Sequence, residues 1–244
     1  MPDITHIHFN ETVSTNTYMK RYTREGNETF VLCTADYQTA GRGQAGNHWE
    51  SDRGCNLLFT LAHYAPPVAP ARQFVLSQAV ALAVVDVLQR HIPSEATHFT
   101  IKWPNDIYWN DRKIAGILIE HELTSTRILR TLIGVGLDVN QPAFHSDAPN
   151  PISMFLITGK TYDRETLLND FIEAYSQRLA LSAEAIDSAF HAILYRRGIP
   201  ARFRHAEGEF EGIIEGTDAD GRLRIRKSDG TLSRFAFKEV SFII

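Results

Sequence analysis

The stretch KWPNDIYWNDRKIAGILIE, Lys102 to Glu120, sets two lysines, a carboxamide and a carboxylate around a turn. Side chains of these types suit an anion in a shaped pocket, so the stretch bears on chemistry. Pro104 restricts Trp103 to extended geometry and Asn105-Asp106 can turn the chain. Lys102, Asn105 and Asp106 therefore project from a rigid corner, and Lys113 follows a hairpin turn at Asn110-Asp111. Taken alone, each lysine reads as a solvated surface charge. A second motif changes that balance.

Gly41-Arg42-Gly43-Gln44-Ala45-Gly46 matches G-x-G-x-x-G, the pattern of a dinucleotide-binding turn. That motif works only where its third glycine opens a helix whose N-terminus receives a pyrophosphate. Here Asn47-His48-Trp49-Glu50-Ser51-Asp52 follows, without apolar helical period, which excludes a Rossmann site. Kinase, Walker A, GxSxG and HExxH sequences are absent as well. What remains is a loop that brings backbone N–H groups and Arg42 against an anion and can close over it. Trp49 fits a role stacked on a ligand ring or tucked into the core better than it fits a solvated loop.

The elements that must position these residues follow from pattern. Ile4 to Phe9 alternates as a strand, and Ser14-Thr15-Asn16 offers cap chemistry for a helix to about Tyr22. Strands are expected over Phe30 to Ala35, Asn56 to Ala62, Phe99 to Trp103, Ile107 to Trp109, Lys113 to Leu123 and Arg127 to Val139. A core helix is expected over Gln73 to His91, and two more follow, one capped by Asp163 and one over Ser182 to Arg197. The long polar segment from Asp36 to Gly54 is of the kind that carries function. After Gly198 short β segments over Arg202 to Arg204, Phe210 to Ile214, Leu223 to Arg226 and Thr231 to Phe237 predict a small barrel, so the expected units are 1–198 and 199–244.

Composition narrows the partners. Lys+Arg 25 against Asp+Glu 29 leaves a formal charge of -4, and the C-terminal part is balanced, so neither nucleic acid nor an anionic membrane is indicated. Hydrophobic content of 43% and charged content of 22% describe a globular chain, and no stretch reaches the roughly 20 apolar residues a bilayer needs. Cys33 and Cys55 show neither CxxC nor zinc spacing, which with the lack of a signal sequence makes a cytoplasmic location the expectation. His6 and His8 share a strand face, but no third ligand motif accompanies them.

Four motifs in order, Ser14-Thr15-Asn16, QTAGRGQAGNHW from Gln38, KWPNDIYWNDRKIAGILIE and GVGLDVN from Gly134, make the sequence resemble the biotin protein ligases, also called biotin–[acetyl-CoA-carboxylase] ligases. The resemblance implies an α+β fold: a mixed sheet flanked by helices, similar to class II aminoacyl-tRNA synthetase cores, with an SH3-like C-terminal β-barrel. It implies ATP and biotin as substrates, Mg²⁺, a biotin carboxyl carrier protein domain as acceptor, and a monomer or homodimer. Biotinyl-5′-AMP would form first, and the biotinyl group would then pass to a carrier lysine. Carried over by position, Ser14, Thr15, Asn16, Gln38, Gly41, Arg42, Gly43, Gln44, Lys113 and Gly116 would bind biotin. Trp49, Asn105, Lys113, Asp138 and Asn140 would bind ATP, with Mg²⁺ near Asn105 and Asp138. Arg42 and Lys113 would stabilise charge, and Asp106 would orient the incoming lysine.

The chain departs from the family pattern in three places. Gln44 and Asn47 stand where the loop GRGRxGRxW has arginines, which leaves Lys102, Lys113 and Arg53 as possible substitutes, and Asp138 replaces the usual asparagine. Ser14 lies too near Met1 for the helix-turn-helix of the repressor members, so a ligase without operator binding is expected. The rival readings are a lipoate–protein ligase and a non-catalytic biotin or nucleotide sensor.

Overall fold

The computed structural model describes residues 4–43, 48–146 and 148–243. Seven strands form one mixed sheet: β1 (Ile4–Phe9), β2 (Phe30–Ala35), β3 (Leu57–Tyr64), β4 (Phe99–Lys102), β5 (Asp106–Trp109), β6 (Arg112–Leu123) and β7 (Ile128–Leu137). Their spatial order is β1-β2-β3-β7-β6-β5-β4. Only β1 and β2 run parallel; every other neighbouring pair in this sheet is antiparallel.

The two faces of this sheet have different tasks. Phe30, Leu32, Leu57, Phe59, Leu61, Ile133 and Val135 belong to the main core cluster. That face is covered by α2 (Phe74–His91), α4 (Arg164–Leu179) and α5 (Ala183–Ala192). From Val75 to Leu88 all but two residues of α2 are buried, so this apolar helix is the spine of the core. Burying each Val or Leu there contributes about 1.5–3 kcal/mol. Asp86 accepts hydrogen bonds of 2.8 and 2.6 Å from Arg178 and so ties α2 to α4. The opposite face carries α1 (Thr15–Arg21), whose Met19 packs on Val31, Cys33, Ala62 and Leu132. Beside α1 the sheet is left open.

The C-terminal strands β8 (Pro200–His205), β9 (Gly208–Thr217), β10 (Leu223–Lys227), β11 (Leu232–Phe235) and β12 (Val240–Phe242) form a second, antiparallel sheet in the order β11-β10-β9-β8-β12. Phe203, Ile214, Leu223, Ile225, Phe235 and Val240 belong to the same core cluster as α2, so the two sheets share one apolar interior. The Trp103 indole donates to Gly221 O at 2.8 Å, and Gly221 lies against the ring of Phe74.

Two departures from the expected elements have local causes. The helix expected to reach Arg197 stops at Ala192, because Ile101 N bonds Ile193 O at 2.9 Å and Tyr195 N bonds Ile101 O at 2.9 Å. The chain there joins the edge of β4 instead of continuing to coil. A short helix, α3 (Met154–Thr158), was not anticipated; Ser153 caps it and Gly159 ends it in the left-handed region at φ 71°. Asp163 caps α4 as expected, and Ser182, expected inside the next helix, caps α5; each accepts from the backbone N–H three residues on.

Candidate functional site

The open face is floored by glycine. Gly116 pairs with Gly136 and Leu118 with Gly134 across β6 and β7, so three bare positions lie side by side. A Cβ on Gly134 would sit 2.0 Å from Asn16 Oδ1, and one on Gly136 would sit 2.6 Å from the Trp49 ring. Ligand-sized side chains already fill the space these glycines leave.

Around that floor lies a cavity of about 40 Å³ lined by Ser14, Thr15, Asn16, Gln38, Arg42, Gly43, Phe59, Trp49, Asn105, Lys113 and Gly116. Ser14 stands at the N-cap of α1, yet its hydroxyl makes no capping bond, so the helix does not consume it. Gln38 Oε1 accepts from Thr15 N at 2.7 Å and from Thr15 Oγ1 at 3.2 Å. Thr60 Oγ1 lies 2.8 Å from Thr15 Oγ1 and 2.6 Å from Asn16 Oδ1. Asn16 Nδ2 is buried and has no hydrogen-bond partner among the described residues. An unused buried donor costs about 1–3 kcal/mol, which a ligand acceptor would recover.

A second cavity, about 450 Å³, is lined by His48, Trp49, Glu50, Lys113, Asp138, Phe144, Ser146 and the segment from Ala148 to Pro151. Trp49 and Lys113 belong to both walls. The Lys113 ammonium is 2.6 Å from Asp106 Oδ1 and 5.5 Å from the Trp49 ring centroid, within the range of a cation–π contact. Its backbone is pinned on both sides, N to Asn150 O at 2.8 Å and O to Ile152 N at 2.9 Å. One cation is thus fixed where two cavities meet.

Asp138 has one buried carboxylate oxygen without a partner among the described residues. Burial pushes its carboxyl well above the usual range, more than nearby Lys113 lowers it, and Glu50 adds to the rise. A neutral Asp138 has the donor and acceptor of the asparagine it replaces.

Several expectations shift. Asn140 lines neither cavity; its amide exchanges bonds of 2.9 and 2.8 Å with Tyr162 and holds the approach to α4. Asn105 Nδ2 donates to Ile117 O at 2.5 Å, which braces the corner against β6. Gly41 is buried beneath the Trp49 backbone, and Gly41 O accepts from Trp49 N at 3.1 Å. Lys102 turns away, over the rings of Tyr108 and Phe242, and Arg53 reaches Asn10 and Glu11, so neither stands in for a missing loop arginine. Arg42 is exposed at the cavity rim and makes no ion pair among the described residues. Gln44 and Asn47 lie outside the described residues.

Asn105 lines the first cavity and Asp138 the second. Among the described residues no group of three or more His, Cys, Asp and Glu is placed for a metal ion, and His6 and His8 instead both hydrogen-bond Thr34 Oγ1 at 2.9 Å. Sequence reasoning missed Thr60, the floor glycines Gly134 and Gly136, and the wall from Phe144 to Pro151. The signal for the floor was present: glycines two apart on a strand share one face.

The profile of the Biotin/lipoate A/B protein ligase family matches residues 9–138. The chain is 31% identical to the biotin–[acetyl-CoA-carboxylase] ligase of Paracoccus denitrificans, over 79% of this chain and 82% of that protein. It is 29% identical to the bifunctional ligase/repressor BirA of Salmonella typhimurium, over 86% of this chain and 65% of that one, so it spans just under two thirds of that relative. In fold it is similar to the biotin protein ligase of Aquifex aeolicus solved with biotin and ATP, with a TM-score of 0.76 at 24% identity over 97% of each chain.

Proposed function

Because this chain belongs to the biotin/lipoate A/B protein ligase family, we propose that it joins biotin to ATP as biotinyl-5′-AMP and passes the biotinyl group to a lysine of a biotin carboxyl carrier protein domain. One observation carries the choice of biotin: the buried, unpartnered Nδ2 of Asn16 in a cavity walled by Ser14, Thr15 and Gln38. A ureido ring has a carbonyl and two N–H groups for such a wall, whereas the dithiolane of lipoate has neither. A site built for hydrogen bonds rejects a ligand that cannot make them.

The two cavities are assigned to the two substrates. Biotin takes the polar cavity with its carboxylate directed at Lys113, and ATP takes the cavity lined by His48 and Asp138. A carboxylate oxygen attacks the α-phosphorus, the bond to the β-phosphate oxygen breaks, and pyrophosphate leaves with the electron pair. Lys113 and Arg42 stabilise the charge on the phosphorus oxygens, and magnesium enters with the triphosphate as part of that substrate. In the second step the carrier amine attacks the acyl carbon, the acyl–phosphate bond breaks, AMP leaves, and the amine gives up a proton. Asp106, paired with Lys113, orients that amine.

Biotin- and ATP-dependent labelling of a carrier domain tests the assignment, with lipoate as the comparison ligand in pyrophosphate release. Release with biotin alone is the expected result. Equal release with lipoate would overturn the choice of substrate, and a folded protein that releases none would favour a sensor. Cys33 and Cys55 are both unpaired, which accords with a cytoplasmic location.

A further inference from the structure

Glu50 follows Trp49 directly, and its carboxylate accepts the backbone N–H groups of His145 at 2.6 Å and Ser146 at 3.0 Å. Ser146 lines the same His48–Pro151 cavity as Trp49 and Glu50, and His145 directly precedes it. The wall is well held at its ends: Ser153 Oγ donates to Gln141 O at 2.7 Å, and Asn150 O accepts from Lys113 N at 2.8 Å. Between Ala143 and Asn150, the hydrogen bonds among the described residues that leave the segment are the two to Glu50. An exposed loop has many accessible conformations, and two charge-assisted bonds to one carboxylate remove many of them.

From this geometry we infer that Glu50 is the positioning residue for the nucleotide: it holds His145 and Ser146, and with them this side of the ATP cavity, without touching the reacting atoms. The inference rests on the ligase reading for the identity of the ligand, and on the clamp alone for the role of Glu50. Glu50 lines the nucleotide cavity and is absent from the walls of the polar one, so its loss acts on one substrate. Burial works to raise its carboxyl pKa, but the Ser146 hydroxyl, the two backbone N–H groups and His145 outweigh burial and hold it below the usual range. The clamp is therefore present at neutral pH and is lost on acidification.

The experiment compares the full chain with Glu50→Ala and Glu50→Gln in biotin-dependent ATP–pyrophosphate exchange, with KM for each substrate, and by calorimetric titration with ATP without biotin. Losing both charge-assisted bonds should raise the KM and Kd for ATP about tenfold and leave the KM for biotin within about twofold. Glu50→Gln, which keeps one acceptor oxygen, should fall between. Acidification should weaken ATP binding in the wild type more than in Glu50→Ala. An unchanged Kd for ATP in Glu50→Ala, or equal rises in both KM values, would overturn the assignment. Wild-type protein that binds ATP but shows no biotin-dependent exchange would remove the ligase reading, while the titration would still decide the clamp.

Discussion

At Asp138 the substitution for the family's asparagine costs stability and preserves the hydrogen-bonding pattern. Its folded carboxyl pKa lies above the unfolded value because burial disfavours the charge. The unfolded chain therefore gives up the proton first, and folding stability falls as pH rises from the unfolded pKa towards the folded one. Asp138→Asn should melt higher than the wild type at neutral pH, with a gap that opens above about pH 4, the unfolded aspartate range. Melting curves from pH 4 to 8 check this, and a constant gap would refute it. At the cavity junction, Lys113→Ala should slow adenylate formation by about 10²–10³, the effect of removing a preorganised charge partner. Asp106→Asn leaves that cation in place, so pyrophosphate exchange should change little while transfer to the carrier slows about tenfold, a modest share of what general acid–base assistance supplies. Equal losses in both half-reactions would remove Asp106 from the second step.

At the scale of elements, the site depends on strands that carry no side chain where ligand must lie. Gly134→Ala drives a methyl into Asn16, and overpacking of this kind costs about 1–3 kcal/mol. The substitution should lower the melting temperature by a few degrees and abolish the shift that biotin induces; a retained biotin shift would mean that Asn16 is not a ligand contact. The bounds of β1 were legible from period-two alternation, and the cap of α4 from Asp163. Side-chain direction was not. Lys102 and Lys113 both read as cations of one corner, yet Lys102 lies over the rings of Tyr108 and Phe242. Asn140 belongs to a motif in sequence but serves the approach to α4 in space. Glu50 carried no signal at all, since its partners are backbone groups about a hundred residues away.

For the whole molecule, the two sheets share an interior, with Phe203, Phe235 and Leu223 in the same cluster as α2. A single calorimetric transition is expected, and removal of 199–244 should expose the flank of α2 and leave an aggregating product. Two resolved transitions would instead show that 1–198 and 199–244 fold independently. The same unity bears on how ligands enter. Trp49 rests on Gly136 and Gly116, and the polar cavity it borders is far smaller than the roughly 300–1,000 Å³ of a usual ligand pocket. The indole occupies space that the substrate needs. Measured affinity is then intrinsic affinity multiplied by the fraction of molecules whose indole has swung out. Trimming Trp49 to a smaller side chain would tighten biotin binding while loosening ATP, so the empty enzyme's ring acts as a competitor tethered to its own site.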